Sequence, residues 1–417
     1  MAQEKTSAEK NSKKVAHVTE VTPDIETFAK IKVIGVGGSG NAAITRMMEV
    51  GIRGVEFLGV NTDAQAIHHC KAPSKIQIGK SVTRGLGAGM DPEQGKRAAE
   101  ETTEEIEQRL SGADMVFITC GLGGGTGTGA SPIIARIARD LGALTVAVVT
   151  KPFNFEGAQR KAISERGFEA LADQVDTIIS IPNDRLLHII DKKTTLLDAF
   201  EVVDDVLRQG VQGISELITV PGLINVDSAD VKSIMQNAGS ALMGIGRGEG
   251  DNRAAEAAKA AIDSPLLEVS IDGAKGILFT VAGDQSLGMY EVNEAAQIIT
   301  KQADPGARVI FGTVIDETLG DEIKITVVAT GFSDEALELV SREKAEQSQQ
   351  EEQSTEEKKP EEKKKESSIF HDRTEEKKKK EEPAVMSSQS SENNSSAPTL
   401  PEEDELEIPA FIRKKMG

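Results

Sequence analysis

The chain has 417 residues, enough for two domains with extensions. Its 68 acidic against 48 basic residues leave a net charge of −20, which argues against a nucleic-acid surface, and with no Trp and one Tyr it lacks base-stacking platforms. No apolar run reaches the about 18 residues of a membrane span. The polar start MAQEKTSAEKNSKK lacks the apolar core of a secretion signal, and the two cysteines, Cys70 and Cys120, give neither a disulfide framework nor a metal spacing. The expectation is a reduced, cytoplasmic chain with no direct membrane insertion.

Residues 1–30 read as a polar extension. From Ile31 the pattern becomes strand, turn, helix: IKVIGV, then GGSGN, then AAITRMMEVG. VEFLGVN is a second strand, residues 98–110 are helical, and ADMVFITC is a strand leading through GLGGGTGTGASP into the helical IIARIARDL. LTVAVVTKPF and TIISIPN follow as strands. Strands alternating with helices predict a parallel sheet covered on both faces. A long helix is expected over about 194–218, ended by Pro221-Gly222. Beyond it, SALMGIGRG, KGILFTVAG, RVIFGTVID and EIKITVVATGF read as strands around two helices, NRAAEAAKAAI and MYEVNEAAQIITKQA. This predicts a first α/β domain over 31–221, including the long helix, and a second over 222–335. Residues 341–400 are crowded with charges of both signs and poor in apolar residues, so they cannot offset their ordering entropy. As a random coil they span roughly 45 Å. Apolar residues return together in EEDELEIPAFIRKKMG, at Leu406, Ile408, Phe411 and Ile412, the pattern of a docking peptide on a tether.

Three constellations carry chemistry. The run 121–129 puts six glycines into nine positions between a strand and a helix. Glycine loses the most freedom on folding, so such a run implies that something approaches the main chain closely. Successive amides at a helix N-terminus form an anion site, and Thr126 and Thr128 add hydroxyl donors. Gly35-Val-Gly37-Gly38-Ser39-Gly40 is a second glycine turn between strand and helix. With Asp63 about twenty residues on, it also fits a dinucleotide-binding enzyme. That reading leaves the second glycine run without a use, whereas two such turns in one sheet suit one polyphosphate. Gly79-Lys80-Ser81 ends like a P-loop but lacks its first glycine, and no helix pattern follows directly. The second constellation is Asn225-Val-Asp227-Ser-Ala-Asp230. Asp227 can cap the next helix, or the two carboxylates can orient and deprotonate a water. The third, Phe153 to Arg160, follows a strand; Glu156 and Arg160 can share a helix face as a surface ion pair or reach a ligand.

Together these pieces resemble the FtsZ family, the bacterial tubulin-like GTPases of cell division. GVGGSGNA, VNTDAQ, TRGLGAG, GGGTGTG, KPFNFEG, IPNDRL, VLRQGVQGIS, NVDSAD, SALMGIG and LEIPAFIR stand in the family's order. The resemblance implies a tubulin-like α/β fold: a Rossmann-like GTPase domain joined by a long central helix to a smaller α/β domain, plus a disordered tail. It implies that Gly37, Gly38, Ser39, Gly40, Asn41 and Ala42 contact phosphates from the first turn, and Gly124, Gly125, Thr126 and Gly127 from the second. Glu156 and Arg160 would meet the ribose, Phe200 would stack on the base, and Asn183 and Asp204 would read guanine. Ser39 stands where Gly is usual and Ala42 where a second Asn is usual, which puts side-chain contacts from position 42 in doubt. The resemblance also implies GTP with Mg²⁺ on its phosphates and no dedicated metal ligands. Assembly would be head-to-tail, with Asn225, Asp227 and Asp230 acting on the neighbour's nucleotide. Leu406, Ile408, Pro409, Phe411, Ile412 and Arg413 would dock on a membrane-anchored FtsA-like or ZipA-like adaptor at midcell.

Overall fold

The computed structural model describes residues 29–332, apart from 188, 189, 192, 221, 268 and 269. Nearly all of the N-terminal extension, Pro221, the linker 341–400 and the end peptide with Leu406, Ile408, Pro409, Phe411, Ile412 and Arg413 lie outside the described residues.

Six segments build a parallel sheet: β1 (Ile31–Val36), β2 (Val55–Asn61), β3 (Ser74–Gln77), β4 (Met115–Gly121), β5 (Leu144–Lys151) and β6 (Thr177–Pro182), in the order β3-β2-β1-β4-β5-β6. All but the short edge strand β3 are apolar at successive positions because both faces are covered. On one face Val33, Phe117, Val146 and Ile179 pack with α1 (Gly37–Val50) and α9 (Leu196–Thr219). On the other, Ile34, Ile118, Ala147 and Ile178 pack with α4 (Pro92–Glu101), α5 (Thr103–Leu110), α6 (Thr126–Asp140) and α7 (Ala158–Ala172). Short helices α2 (Ala64–His69), α3 (Lys80–Thr83) and α8 (Asn183–Leu186) fill the connections.

The sheet does not stop at β6. The first residues of β7 (Gly239–Gly248) pair in parallel with it, Thr177↔Gly239 to Ile179↔Ala241. The rest of β7 pairs antiparallel with β10 (Ile323–Thr330), which pairs antiparallel with β8 (Gly276–Gly283), itself parallel to β9 (Arg308–Ile315). Helices α10 (Ser228–Met235), α11 (Arg253–Ile262) and α12 (Met289–Thr300) complete this part. Gly244, Gly246 and Gly248 alternate along β7 for a packing reason. A Cβ at each would lie 2.0, 2.0 and 2.1 Å from the carbonyl oxygens of Ala261, Ala257 and Arg253. The alanine-rich α11 can therefore lie directly on the strand.

The expected 98–110 helix is two helices. Asp91 caps α4 by accepting from the Glu93 amide at 3.0 Å, Pro92 opens it, and the chain breaks at Thr102. α7 and β3 were not legible. The buried positions of α7 are Ile163, Ser164, Gly167 and Leu171, which give no apolar stripe, and SKIQ is too short to alternate. A four-residue helix, α3, does follow Gly79, although no pattern announced it. The long helix matches closely: Thr195 and Asp198 form its capping box, and its 24 residues span about 36 Å.

Candidate functional site

The two glycine turns meet. β1 passes straight into α1 at Gly37, whose φ of +75° suits glycine, and a Cβ there would lie 3.0 Å from the Gly127 amide nitrogen. A Cβ on Gly127 would lie 2.9 Å from the Gly121 carbonyl oxygen, and one on Gly121 2.9 Å from Ser39 Oγ. Gly38 and Gly124, by contrast, face open space. Bare backbone thus packs on bare backbone, leaving a rim at Gly38, Ser39 and Gly124. The first-turn amides of α1 and α6 have no partner within their own helices, and both macrodipoles put positive ends at these turns. The arrangement is a cradle for an anion.

The threonine hydroxyls also have partners within the protein. Thr126 Oγ1 pairs with Thr62 Oγ1 at 2.7 Å, and Thr128 Oγ1 accepts from the Gly123 amide at 2.9 Å. They brace the loop, and because Thr128 is the acceptor in its bond, its own O–H stays free to donate. Sequence reasoning also assigned no residue of 84–91 a role. That loop lies against the cradle: a Cβ on Gly125 would meet Ala88 Cβ at 2.8 Å and the Asp91 amide at 3.0 Å. Its left-handed residues Arg84 (φ 55°) and Met90 (φ 62°) mark a constrained path, and the available signal was the alternation of Gly85, Gly87 and Gly89.

The remaining predicted groups extend the site from β5 and β6. Past β5, Phe153 is buried, stacked with Phe155 at 4.9 Å and edge-on to Phe200 at 6.0 Å. Phe200 itself is exposed, with its ring available. Glu156 does not share a helix with Arg160: it ends a 3-10 turn, Asn154–Glu156, and Gly157 at φ +99° separates it from α7. The pair still closes at 3.1 Å, with Glu156 also accepting from the Phe153 amide at 2.9 Å. Arg160 lies over Gly123, where a Cβ would approach its Cγ to 2.9 Å. The Asn154 amide donates to Asp184 at 3.0 Å, tying this turn to α8, which opens on Asn183.

Several groups here fit a guanine nucleotide. Asn41 is buried with neither amide atom satisfied, and Asn183 is buried with Oδ1 unpaired. Buried polar atoms without partners are costly, and a ligand offering N–H and O–H groups would satisfy them. Burial, with Glu201 adding repulsion and Arg46 opposing both, pushes the Asp204 carboxyl up to about 7. Guanine N1–H and N2–H donate to a carboxylate, so its binding selects the ionised form. The sign follows: the free protein holds this proton up to about pH 7, and a complex in which guanine pairs with Asp204 would release it. Guanine-nucleotide affinity is therefore expected to fall as pH drops through 7, approaching tenfold per unit. Titration calorimetry in two buffers of different ionisation enthalpy would show proton release below that midpoint.

The acidic loop is elsewhere. Ile224 bridges to Thr313 of β9, and Asn225 Oδ1 accepts from the Gly222 amide at 2.6 Å, closing the turn. Asp227 caps α10 through the Ala229 amide at 3.1 Å. Asp230 is exposed, and among the described residues its carboxylate makes no hydrogen bond or ion pair. A cavity at the base of this loop is lined by Ser228 and Lys232 together with Ala29, Asp114 and Leu144. Those last three mark where β1, β4 and β5 begin, whereas the cradle sits where the strands end. Strands of six to eight residues at about 3.3 Å each put some 20 Å between them. Asp63, the acid a dinucleotide enzyme would turn to a ribose, caps α2 instead, accepting from Gln65 at 2.8 Å and Ala66 at 3.1 Å.

Comparison with known proteins agrees. Residues 30–191 match the Tubulin/FtsZ family GTPase domain, and residues 239–333 match the FtsZ family C-terminal domain. An empty FtsZ dimer from M. jannaschii is similar at 49% identity over 73% of this chain and 89% of that one, with a TM-score of 0.71. CetZ1 from Haloferax volcanii, a GDP-bound monomer, shares the fold at 21% identity, over 76% of this chain and 99% of that one, TM-score 0.64. CetZ2 from the same organism, a GTPγS-bound protofilament, does so at 19% identity, over 77% and 99%, TM-score 0.63. Fold and cradle thus define a tubulin-type guanine-nucleotide protein. The chain belongs to the FtsZ family, and it is a GTPase.

Proposed function

We propose that this protein is a filament-forming GTPase that assembles the cytokinetic ring at the bacterial division site, and that each GTP is hydrolysed at the subunit interface by the neighbour's acidic loop. The observation that carries this reading is the separation of cradle and loop at opposite ends of one sheet. A loop some 20 Å from its own phosphates can serve only another molecule's. Such a contact between unlike surfaces does not close on itself, so it builds filaments. Similar proteins known as a dimer and as a protofilament support self-assembly.

The division of labour follows the chain. Residues 31–221 bind the nucleotide: amides of Gly37, Gly38, Ser39 and Gly40 and of Gly124 to Gly127 hold the phosphates, with Asn41 and Ala42 beside them. Glu156 and Arg160 meet the ribose, Phe200 takes the base face, and Asn183 and Asp204 read guanine. Residues 222–335 carry the loop: Asn225 fixes its turn, Asp227 its helix, and Asp230 orients the attacking water and takes its proton. Mg²⁺ would sit on the phosphates and water and supply charge neutralisation there. Among the described residues no helix is long and apolar enough to cross a membrane. Attachment to the inner face at midcell is therefore assigned to Leu406, Ile408, Pro409, Phe411, Ile412 and Arg413, docking on an FtsA-like or ZipA-like adaptor.

Catalysis completed by a neighbour makes turnover depend on assembly. GTPase rate per subunit is expected to rise with protein concentration in step with light scattering, and a flat rate would contradict the reading.

A further inference from the structure

On the sheet face away from α9, helices α4, α6 and α7 enclose a cleft of about 830 Å³. Glycines hold the three helices close: a Cβ on Gly129 would lie 1.9 Å from the Pro92 carbonyl oxygen, and one on Gly167 2.1 Å from Thr128 Cγ2. The cleft is therefore a fixed feature of the packing, and its volume lies within the usual range for small-molecule sites.

Its lining is amphipathic. Exposed Met90 and half-buried Pro132 supply apolar surface, over the buried Ile133 and Ile163. Each helix contributes one cation from its interior: Lys96 from α4, Arg136 from α6 and Arg166 from α7. Among the described residues Lys96 and Arg136 make no hydrogen bond or ion pair, and Arg166 bonds only the Ala162 carbonyl of its own helix, at 3.3 Å. What sets these three apart is that they line one cleft from three different helices. The acids that line the cleft lie at helix ends: Asp91 and Glu93 open α4, with Asp91 engaged as its cap, and Asp173 closes α7.

We propose that this cleft is a second ligand site, separate from the nucleotide cradle, for a small organic polyanion with a flat apolar body. The body lies on the Met90–Pro132 surface, and its anionic groups are met by Lys96, Arg136 and Arg166 in charge-assisted hydrogen bonds. Thr128 belongs to both sites: it lines this cleft, and its hydroxyl holds the Gly123 amide of the cradle.

The probe is the trianionic dye 8-hydroxypyrene-1,3,6-trisulfonate, titrated by fluorescence anisotropy into the full chain with saturating GDP, which keeps it from the cradle. One saturable site is expected, weakened more than about tenfold in Arg136→Gln/Arg166→Gln and several-fold in Lys96→Gln. Arg97→Gln, on α4 but outside the cleft, should leave dye binding unchanged. All four residues are exposed, and an unshifted thermal midpoint confirms that each variant folds. Absence of saturable binding, full affinity in the double arginine variant, or an equal loss in Arg97→Gln would each overturn the proposal. With GDP affinity measured separately on the same preparations without dye, failure at this cleft is separable from failure of the nucleotide reading.

Discussion

Replacing Asp230 by Asn is expected to lower GTP turnover by about 10²–10⁴-fold, the range a positioned general base supplies, while leaving nucleotide affinity unchanged. The side chain is exposed in the first turn of α10 and makes no hydrogen bond or ion pair among the described residues. Asn keeps its shape, so neither fold nor assembly surface loses a contact; only the ability to accept a proton from water disappears. Asp227 makes a less clean probe. Its carboxylate caps α10, and truncation to Ala would add about 1 kcal/mol of lost stability to any chemical effect. Phosphate release and nucleotide binding, measured side by side on Asp230→Asn, check the expectation. Undiminished turnover in a protein that still binds GTP would remove this residue from the reaction.

Asp204→Asn is expected to weaken GTP by about 10²–10³-fold. A carboxylate accepts both guanine N1–H and N2–H, and hydrogen bonds to a charged group contribute about 1.5–3 kcal/mol each. The amide offers one acceptor and turns a donor toward a donor. The same change removes a carboxylate that burial disfavours, so the free protein should not lose stability. A fall in affinity with an unlowered thermal midpoint therefore reports lost recognition and not unfolding. The decline of affinity below pH 7 should vanish as well, since no proton is left to release. Equal GTP affinity in wild type and variant would take guanine reading away from Asp204.

Much of this was legible because glycine has few reasons to occur in runs. Gly37 and Gly127 are where the two turns touch, and a Cβ at either would force them apart, so GGSGN and GGGTGTG announced a backbone site directly. Strands buried on both faces were equally plain in IKVIGV and ADMVFITC. What the sequence hid was decided by tertiary partners. Thr128 gives no hint in sequence that it also accepts from the Gly123 amide, and Asp63 reads as a ribose ligand until it caps α2. The burial of Asn41 and Asn183, which makes their unpaired atoms informative, is set by tertiary packing: Gly59 of β2, for one, lies against Asn41. α7 hides its buried side behind Ser164 and Gly167, the latter small because Thr128 presses on it. Likewise the spacing of Gly244, Gly246 and Gly248 has meaning only once α11 lies across them.

The central claim is that nucleotide and acid come from different molecules. The direct measurement mixes Asp204→Asn with Asp230→Asn at equal concentration and follows phosphate release, at a GTP level that fills the second variant's cradle but not the first's. Random alternation pairs half of the competent cradles with an intact acidic loop, so turnover should recover to about a quarter of the wild-type rate. A mixture no more active than the sum of its parts would mean that each subunit hydrolyses its own GTP.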